Sequence, residues 1–155
     1  MSKSIRPHIA REPFMSPEYW RGLTFGMTYL LVGVAQLFTF EKFADITAGY
    51  GFAGGSLVAA GIAVVLPLLH ISSLPFLFSM KLNRHILVAS RWATIIVAAL
   101  WLCIALYTNI TGNTFGEAGL FGATIPVING PWFIAFTAIF FWAAILVVKE
   151  LPLRR

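Results

Sequence analysis

The sequence predicts an all-α fold, a four-helix transmembrane bundle with both termini in the cytoplasm. Composition is the first reason, because the 155 residues are 59% hydrophobic and only 11% charged. Clustering is the second, since the apolar residues form four runs, each close to the ~20 residues that a helix needs to cross about 30 Å of hydrocarbon. The runs cover residues 20–40, 54–80, 86–107 and 131–148.

Helices are the only regular structure that suits these runs. A strand facing lipid would leave backbone amide groups unpaired, and the short alternation of apolar and polar residues that marks a transmembrane barrel is absent from the sequence. We therefore predict one membrane domain over residues 20–149, between a cytoplasmic segment 1–19 and a cytoplasmic tail 150–155. A chain of this length has no room for a separate soluble domain.

The first run also begins like a secretory signal peptide, with basic residues ahead of an apolar stretch. It is longer than a usual signal core, and no small-x-small cleavage site follows before Glu41 and Lys42. We therefore expect all four runs to belong to the mature protein.

The distribution of basic residues predicts the orientation. With a cytoplasmic N-terminus, ten of the eleven Lys and Arg residues lie on that side, and the other side has only Lys42 beside Glu41, Asp45 and Glu117. The positive-inside preference produces this asymmetry. It also accounts for the net charge of +5 without nucleic acid, because basic residues at membrane edges face anionic headgroups. We expect a multi-pass protein of the inner (plasma) membrane, in contact with the lipid bilayer.

Two of the connections between runs differ in character. Residues 81–85 predict a tight cytoplasmic turn, whereas 108–130 form a long outer loop with five of the thirteen glycines. The stretch 120–128 is still apolar, so we expect the loop to fold back on the mouth of the bundle or to dip into the interface. A loop of more than about 15 residues in so compact a chain is functional or mobile.

The second run contains the main candidate for chemistry. Pro67 and Pro75 each remove a backbone donor and are expected to kink or interrupt the helix. Between them lies His70, past the middle of the span, where a titratable group is costly. Its imidazole could pass protons, bind a quinone carbonyl or ligate a metal. The alternative is a neutral histidine that bonds a carbonyl freed by Pro75 or a serine of a neighbouring helix.

The end of the first run carries a polar cluster of Gln36, Glu41, Lys42 and Asp45. Glu41 and Asp45 share one helical face, and Lys42 can neutralise either carboxylate. The cluster could bind a cation or a polar head or steer an extracytoplasmic partner, or it is simply a solvated helix end. Gln36 lies further inside and is expected to form an interhelical hydrogen bond. With His70, these are the candidate ligand-binding or proton-handling residues.

Several kinds of site are missing from the sequence. Cys103 is the only cysteine, so no CxxC pair can exchange disulfides. A haem between helices normally needs two axial ligands, but His70 is the only histidine within a span. Phosphate-binding loops, zinc motifs and nucleophile elbows are absent from the sequence. We therefore expect no metal, no covalently bound cofactor and no catalysis by the chain on its own.

Four short segments resemble the DoxX and MauE-like superfamily of small four-helix membrane proteins. They are Gly33–Phe38, Glu41–Asp45, Gly49–Gly51 and Pro67–His70. In that superfamily the first helix ends with a Lys before an apolar residue, which Lys42-Phe43 matches. A Pro-x-x-Glu element is common in the second helix, and here His70 stands in the place of the Glu.

The resemblance implies a membrane subunit or accessory factor of a quinone- or thiol-linked redox system. Quinone is then the expected ligand, and a periplasmic redox protein, other membrane subunits or further copies of the chain are the expected partners. Two alternatives stay open from the residues alone. One is a small oligomeric transporter or permease, because prolines interrupt transporter helices to expose backbone groups to substrate. The other is a structural subunit of a larger membrane complex.

Overall fold

The computed structural model describes residues 16–112 and 116–151, and within these ranges the protein is all-α, as predicted. An isolated bridge between Glu117 and Ile128 is the only strand-like pairing there. Most of the predicted terminal segments 1–19 and 150–155 lies outside the described residues. The five helices are α1 (Pro17–Phe38), α2 (Phe40–Ala48), α3 (Gly55–Leu77), α4 (Arg84–Ile110) and α5 (Pro131–Glu150).

Three helices, α3, α4 and α5, are each long and apolar enough to cross a membrane. The pair α1 and α2 meets the same criterion only when taken together, and the two are bent by 90° to each other. The chain therefore has the three to four candidate spans of a multi-pass membrane protein. We call the end of the bundle that carries α2 the α2 end, and the end with residues 81–83 the turn end.

The first span is predicted over residues 20–40, and α1 ends at Phe38, just before a bend at Thr39. The 22 residues of α1 already measure about 33 Å at 1.5 Å per residue, which is the hydrocarbon thickness. Beyond it, α2 buries Phe43 and Thr47 and exposes Glu41, Lys42 and Asp45. The bend thus keeps three charged side chains on the surface while the apolar face of α2 covers the bundle.

Glycines bring α1 close to α3. A Cβ added at Gly26 would lie 3.2 Å from the Cβ of Leu77, and one added at Gly33 would lie 3.0 Å from the Cβ of His70. Such small residues allow close approach where no hydrophobic force drives membrane helices together. The seam between α1 and α3 is therefore closed along its length.

The prolines of α3 do not interrupt it. The helix runs as one element from Gly55 to Leu77 through both Pro67 and Pro75, so the expected interruption is not seen. Just after Pro75, the amide of Phe76 donates to Ser90 Oγ of α4 at 2.9 Å. The broken-helix argument for a transporter therefore loses its basis, and that function stays a prediction.

The described part of the outer loop, 116–130, folds back on the α2 end. Ala123 N–H donates to Thr39 Oγ1 at 2.9 Å, and the buried Tyr50 hydroxyl donates to the carbonyl of Ala118. Burial, assisted by the charge of Glu117, raises the pKa of Tyr50, so this hydroxyl remains a protonated donor. The loop covers this end of the bundle, which is one of the two arrangements expected for it.

Candidate functional site

His70 is fully buried in the bundle, and only one of its two ring nitrogens has a hydrogen-bond partner among the described residues. Its Nδ1 lies 2.9 Å from the carbonyl oxygen of Leu66. Because a carbonyl only accepts, Nδ1 carries the proton, and Nε2 of the neutral ring is a lone-pair acceptor. This Nε2 is buried and has no hydrogen-bond partner among the described residues. An unsatisfied buried acceptor costs about 1–3 kcal/mol.

The partner of His70 differs from the ones expected. Leu66 is one turn earlier on α3 itself, whereas the carbonyl that Pro75 frees belongs to Ile71. The serine that bonds His70 is on the same helix and does not contact the imidazole: Ser73 Oγ donates to the backbone carbonyl of His70 at 2.6 Å. The local structure therefore accounts for Nδ1 and leaves Nε2 available.

The surroundings of His70 offer Nε2 no hydrogen bond. The ring of Tyr29 meets the imidazole edge-on, with centroids 5.2 Å apart. The Tyr29 hydroxyl, however, donates to the carbonyl of Thr94 at 2.8 Å. Gly33 presents only backbone to the His70 side chain. The site is thus an apolar and aromatic interior with one free nitrogen.

Gln36 is a second half-satisfied group in the interior. It is fully buried, its Nε2 donates to the carbonyl of Leu120 at 2.8 Å, and its Oε1 has no partner among the described residues. The prediction that Gln36 forms an interhelical hydrogen bond is wrong, because the carbonyl that its Nε2 reaches belongs to the folded-back loop and not to a helix. Tyr29, Gly33 and Gln36 are spaced by four and three positions, so they share one face of α1.

Two further orphaned groups escaped the sequence analysis. Trp101 is fully buried on α4 and its indole N–H has no partner in the described part of the chain. Asn129 is buried in the loop, and its Oδ1 is likewise unpaired there. Tryptophan at span ends is explained by the membrane interface, but Trp101 lies deep in the third apolar run. Its position inside the run, away from either end, was the sequence feature that could have indicated a buried indole N–H in need of a partner.

The charged residues of α2 lie apart from His70. Glu41 and Lys42 line a hollow of about 500 Å³ at the α1–α2 bend. Asp45 lines a different hollow of about 430 Å³, together with Tyr50 and Glu117. Within residues 16–112 and 116–151 the one salt bridge joins other residues. Glu41 and Asp45 are four positions apart on the same helix, α2, as expected, and a binding role for these three residues stays a prediction.

No family model, curated protein or solved structure matches the chain. The resemblance to the DoxX and MauE-like superfamily therefore stays a prediction, and the function has to be argued from the residues themselves. In the described ranges, no three His, Cys, Asp or Glu residues lie close enough to share a metal ion. The chemistry that the interior offers is hydrogen bonding by His70, Gln36 and Trp101.

The role of Gln36 as an anchor of the loop is testable. Gln36→Leu removes the bond to the Leu120 carbonyl, and a bond of about 1 kcal/mol corresponds to roughly fivefold faster opening. We expect amide hydrogen exchange over residues 116–123 to accelerate by that factor, measured by mass spectrometry in detergent. Thr111→Val is the control, because the Thr111 hydroxyl bonds its own helix at Tyr107. Unchanged exchange in Gln36→Leu would contradict the anchor.

Proposed function

We propose that this chain is a four-crossing inner-membrane protein that binds a quinol at His70, as a membrane subunit or accessory factor of a quinone-linked redox system. The observation that carries the proposal is the fully buried His70 Nε2 without a partner. Ionisable groups inside a membrane are expensive and usually functional.

Four crossings and cytoplasmic termini are supported by the long helices and by the charges. The helices α1, α3, α4 and α5 form the packed bundle, and α2 lies across one end. Lys42 stands at the α2 end beside acidic residues, and the positive-inside preference favours the cytoplasm for the opposite, turn end. The remaining described basic residues belong to the half of the bundle at the turn end: Arg21, Lys81, Arg84, Arg91 and Lys149.

A quinol suits the chemistry of the interior. Its ring is apolar and planar, and it can stack on aromatic side chains such as Tyr29, whose ring contacts His70. One of its hydroxyls can donate to the lone pair of His70 Nε2. Each bond made to such an orphaned group contributes about 1–3 kcal/mol.

Duroquinol, a quinol without a tail, tests the proposal. We expect the purified full chain in nanodiscs to bind it in anaerobic calorimetry. His70→Leu should weaken binding at least about tenfold, because it removes a buried acceptor worth at least about 1.4 kcal/mol to the ligand.

His85→Leu is the matched control for this titration. His85 is exposed at the first turn of α4, so its replacement should leave the affinity unchanged. Equal affinity of the wild type and His70→Leu, with both folded by thermal unfolding, would overturn the role of His70. Absence of binding to the wild type would overturn the proposed function.

A further inference from the structure

A groove opens between α1 and α5 near the turn end. These are the long neighbouring helices that pack least closely, and the groove between them has a volume of about 650 Å³. Its walls are mainly apolar, with Phe25 on α1 facing Ala143 and Val147 on α5. At its mouth Arg21 donates to both carboxylate oxygens of Glu150, at 2.7 and 2.6 Å.

An unbroken succession of aromatic contacts joins this groove to His70. Phe25, in the groove wall, stacks on Phe140 with centroids 5.0 Å apart and planes at 29°. Tyr29 lies 4.9 Å from Phe25 and 5.4 Å from Phe140, and its other edge meets the His70 ring at 5.2 Å. Phe136 extends the stack towards lipid, at 6.1 Å from Phe140 and with 41% of its surface exposed.

Two other approaches to His70 are closed in the described structure, and a third reaches only its Nδ1 side. Along the α1–α3 seam, a Cβ at Gly33 would already press on the His70 Cβ at 3.0 Å. At the α2 end, the loop seals the interior with Leu120 buried against the core. A second groove, of about 460 Å³, lies between α3 and α4 and reaches Leu66, whose carbonyl is already bonded to His70 Nδ1 and not to the unpaired Nε2. Of these two grooves, only the one between α1 and α5 is lined by a ring, Phe25, of the aromatic succession that ends at His70.

We propose that the α1–α5 groove is the docking site and lateral entrance for the ring of a membrane-dissolved quinol on its way to His70. This inference rests on the proposed function. A planar ring can part Phe25 and Phe140 and stack between them, because offset aromatic stacking is retained on both of its faces. The ligand then stands at Tyr29, one ring away from Nε2. A ligand already dissolved in lipid needs no aqueous path.

Filling the groove tests the entrance. Ala143→Phe places a ring in the groove on the side facing Phe25 and should slow both the association and the dissociation of duroquinol at least tenfold, measured by stopped-flow tryptophan quenching. Calorimetry should give an unchanged affinity, because an obstructed passage raises the barrier equally in both directions. Ala143→Leu should give a smaller reduction of both rates, and it serves as the second variant if the Phe variant folds poorly. The matched control is Gly61→Phe, which fills the α3–α4 groove and should leave both constants unchanged.

The outcomes separate this inference from the proposed function. If duroquinol binds the wild type and His70→Leu weakens it, but Ala143→Phe and Ala143→Leu bind and associate like the wild type, the entrance is elsewhere and only this inference falls. If Gly61→Phe slows the association of duroquinol and Ala143→Phe does not, the α3–α4 groove is the entrance. If duroquinol does not bind the wild type, the proposed function falls as well.

Discussion

Gly122→Val is expected to lift the outer loop from the α2 end and to lower the free energy of unfolding by about 3 kcal/mol. Gly122 has a φ of +57°, which a β-branched residue adopts only with strain. A Cβ at this position would lie 2.2 Å from Thr39 Oγ1 and 2.9 Å from the carbonyl oxygen of Ala35. The hydroxyl can rotate away, but the backbone of α1 cannot, so the loop has to move.

Gly112→Val separates the two causes of this loss. Gly112 also has a positive φ, +77°, but an added Cβ there would have no atom of the described residues within 4 Å. Gly112→Val should therefore lower the free energy of unfolding by about 1–3 kcal/mol, through backbone strain alone and without a steric clash. Unfolding in mixed micelles gives the energies, and hydrogen exchange over residues 116–123 reports the loop. Equal losses in the two variants would contradict the close packing of the loop on α1.

The helical class could be predicted because a lipid environment leaves the chain few choices. Every backbone group in the hydrocarbon must be paired within the segment. A run of apolar residues that is long enough to span is therefore sufficient to predict a helix. The third run, predicted over 86–107, corresponds to α4 at Arg84–Ile110. Its extra residues at both ends include polar ones that a search for apolar runs leaves out.

The bend at Thr39 and the individual contacts of the folded-back loop could not be predicted in the same way. Both depend on contacts between distant parts of the sequence, such as the bond from Ala123 N–H to Thr39 Oγ1 across 84 positions. Hydropathy contains no information about such pairings. The same reason explains why the partner of Gln36 was expected on a helix and is found on the loop.

The interior residues of the candidate site were partly visible in the sequence. His70 and Gln36 stood out because polar side chains in apolar runs are rare, and both are fully buried. Trp101 did not stand out, because tryptophan counts as apolar in such a scan although its N–H needs a partner. The aromatic contacts among Phe25, Tyr29 and Phe140 join two helices and became apparent only in three dimensions.

Gly33→Leu is expected to disturb His70 directly and to destabilise the protein by about 2 kcal/mol. The glycine has an ordinary helical backbone, so strain plays no part. The cause is the 3.0 Å contact that even a Cβ would make with the Cβ of His70, where the carbonyl of Pro67 also lies within 3.6 Å. Larger side chains must push α1 and α3 apart, which moves His70 away from Tyr29 and should weaken duroquinol binding at least about tenfold.

Gly61→Leu makes the same substitution inside α3, at a position where an added Cβ would have no atom of residues 16–112 or 116–151 within 4 Å. The free energy of unfolding of this variant should rise by up to about 1 kcal/mol, because glycine is a poor helix former. The two variants therefore differ in the sign of their effect on unfolding in mixed micelles, although their chemistry is identical. A stable Gly33→Leu protein that still binds duroquinol like the wild type would mean that the closeness of α1 to His70 is not needed for the site. The orphaned Nε2 would then need another explanation than a ligand held against α1.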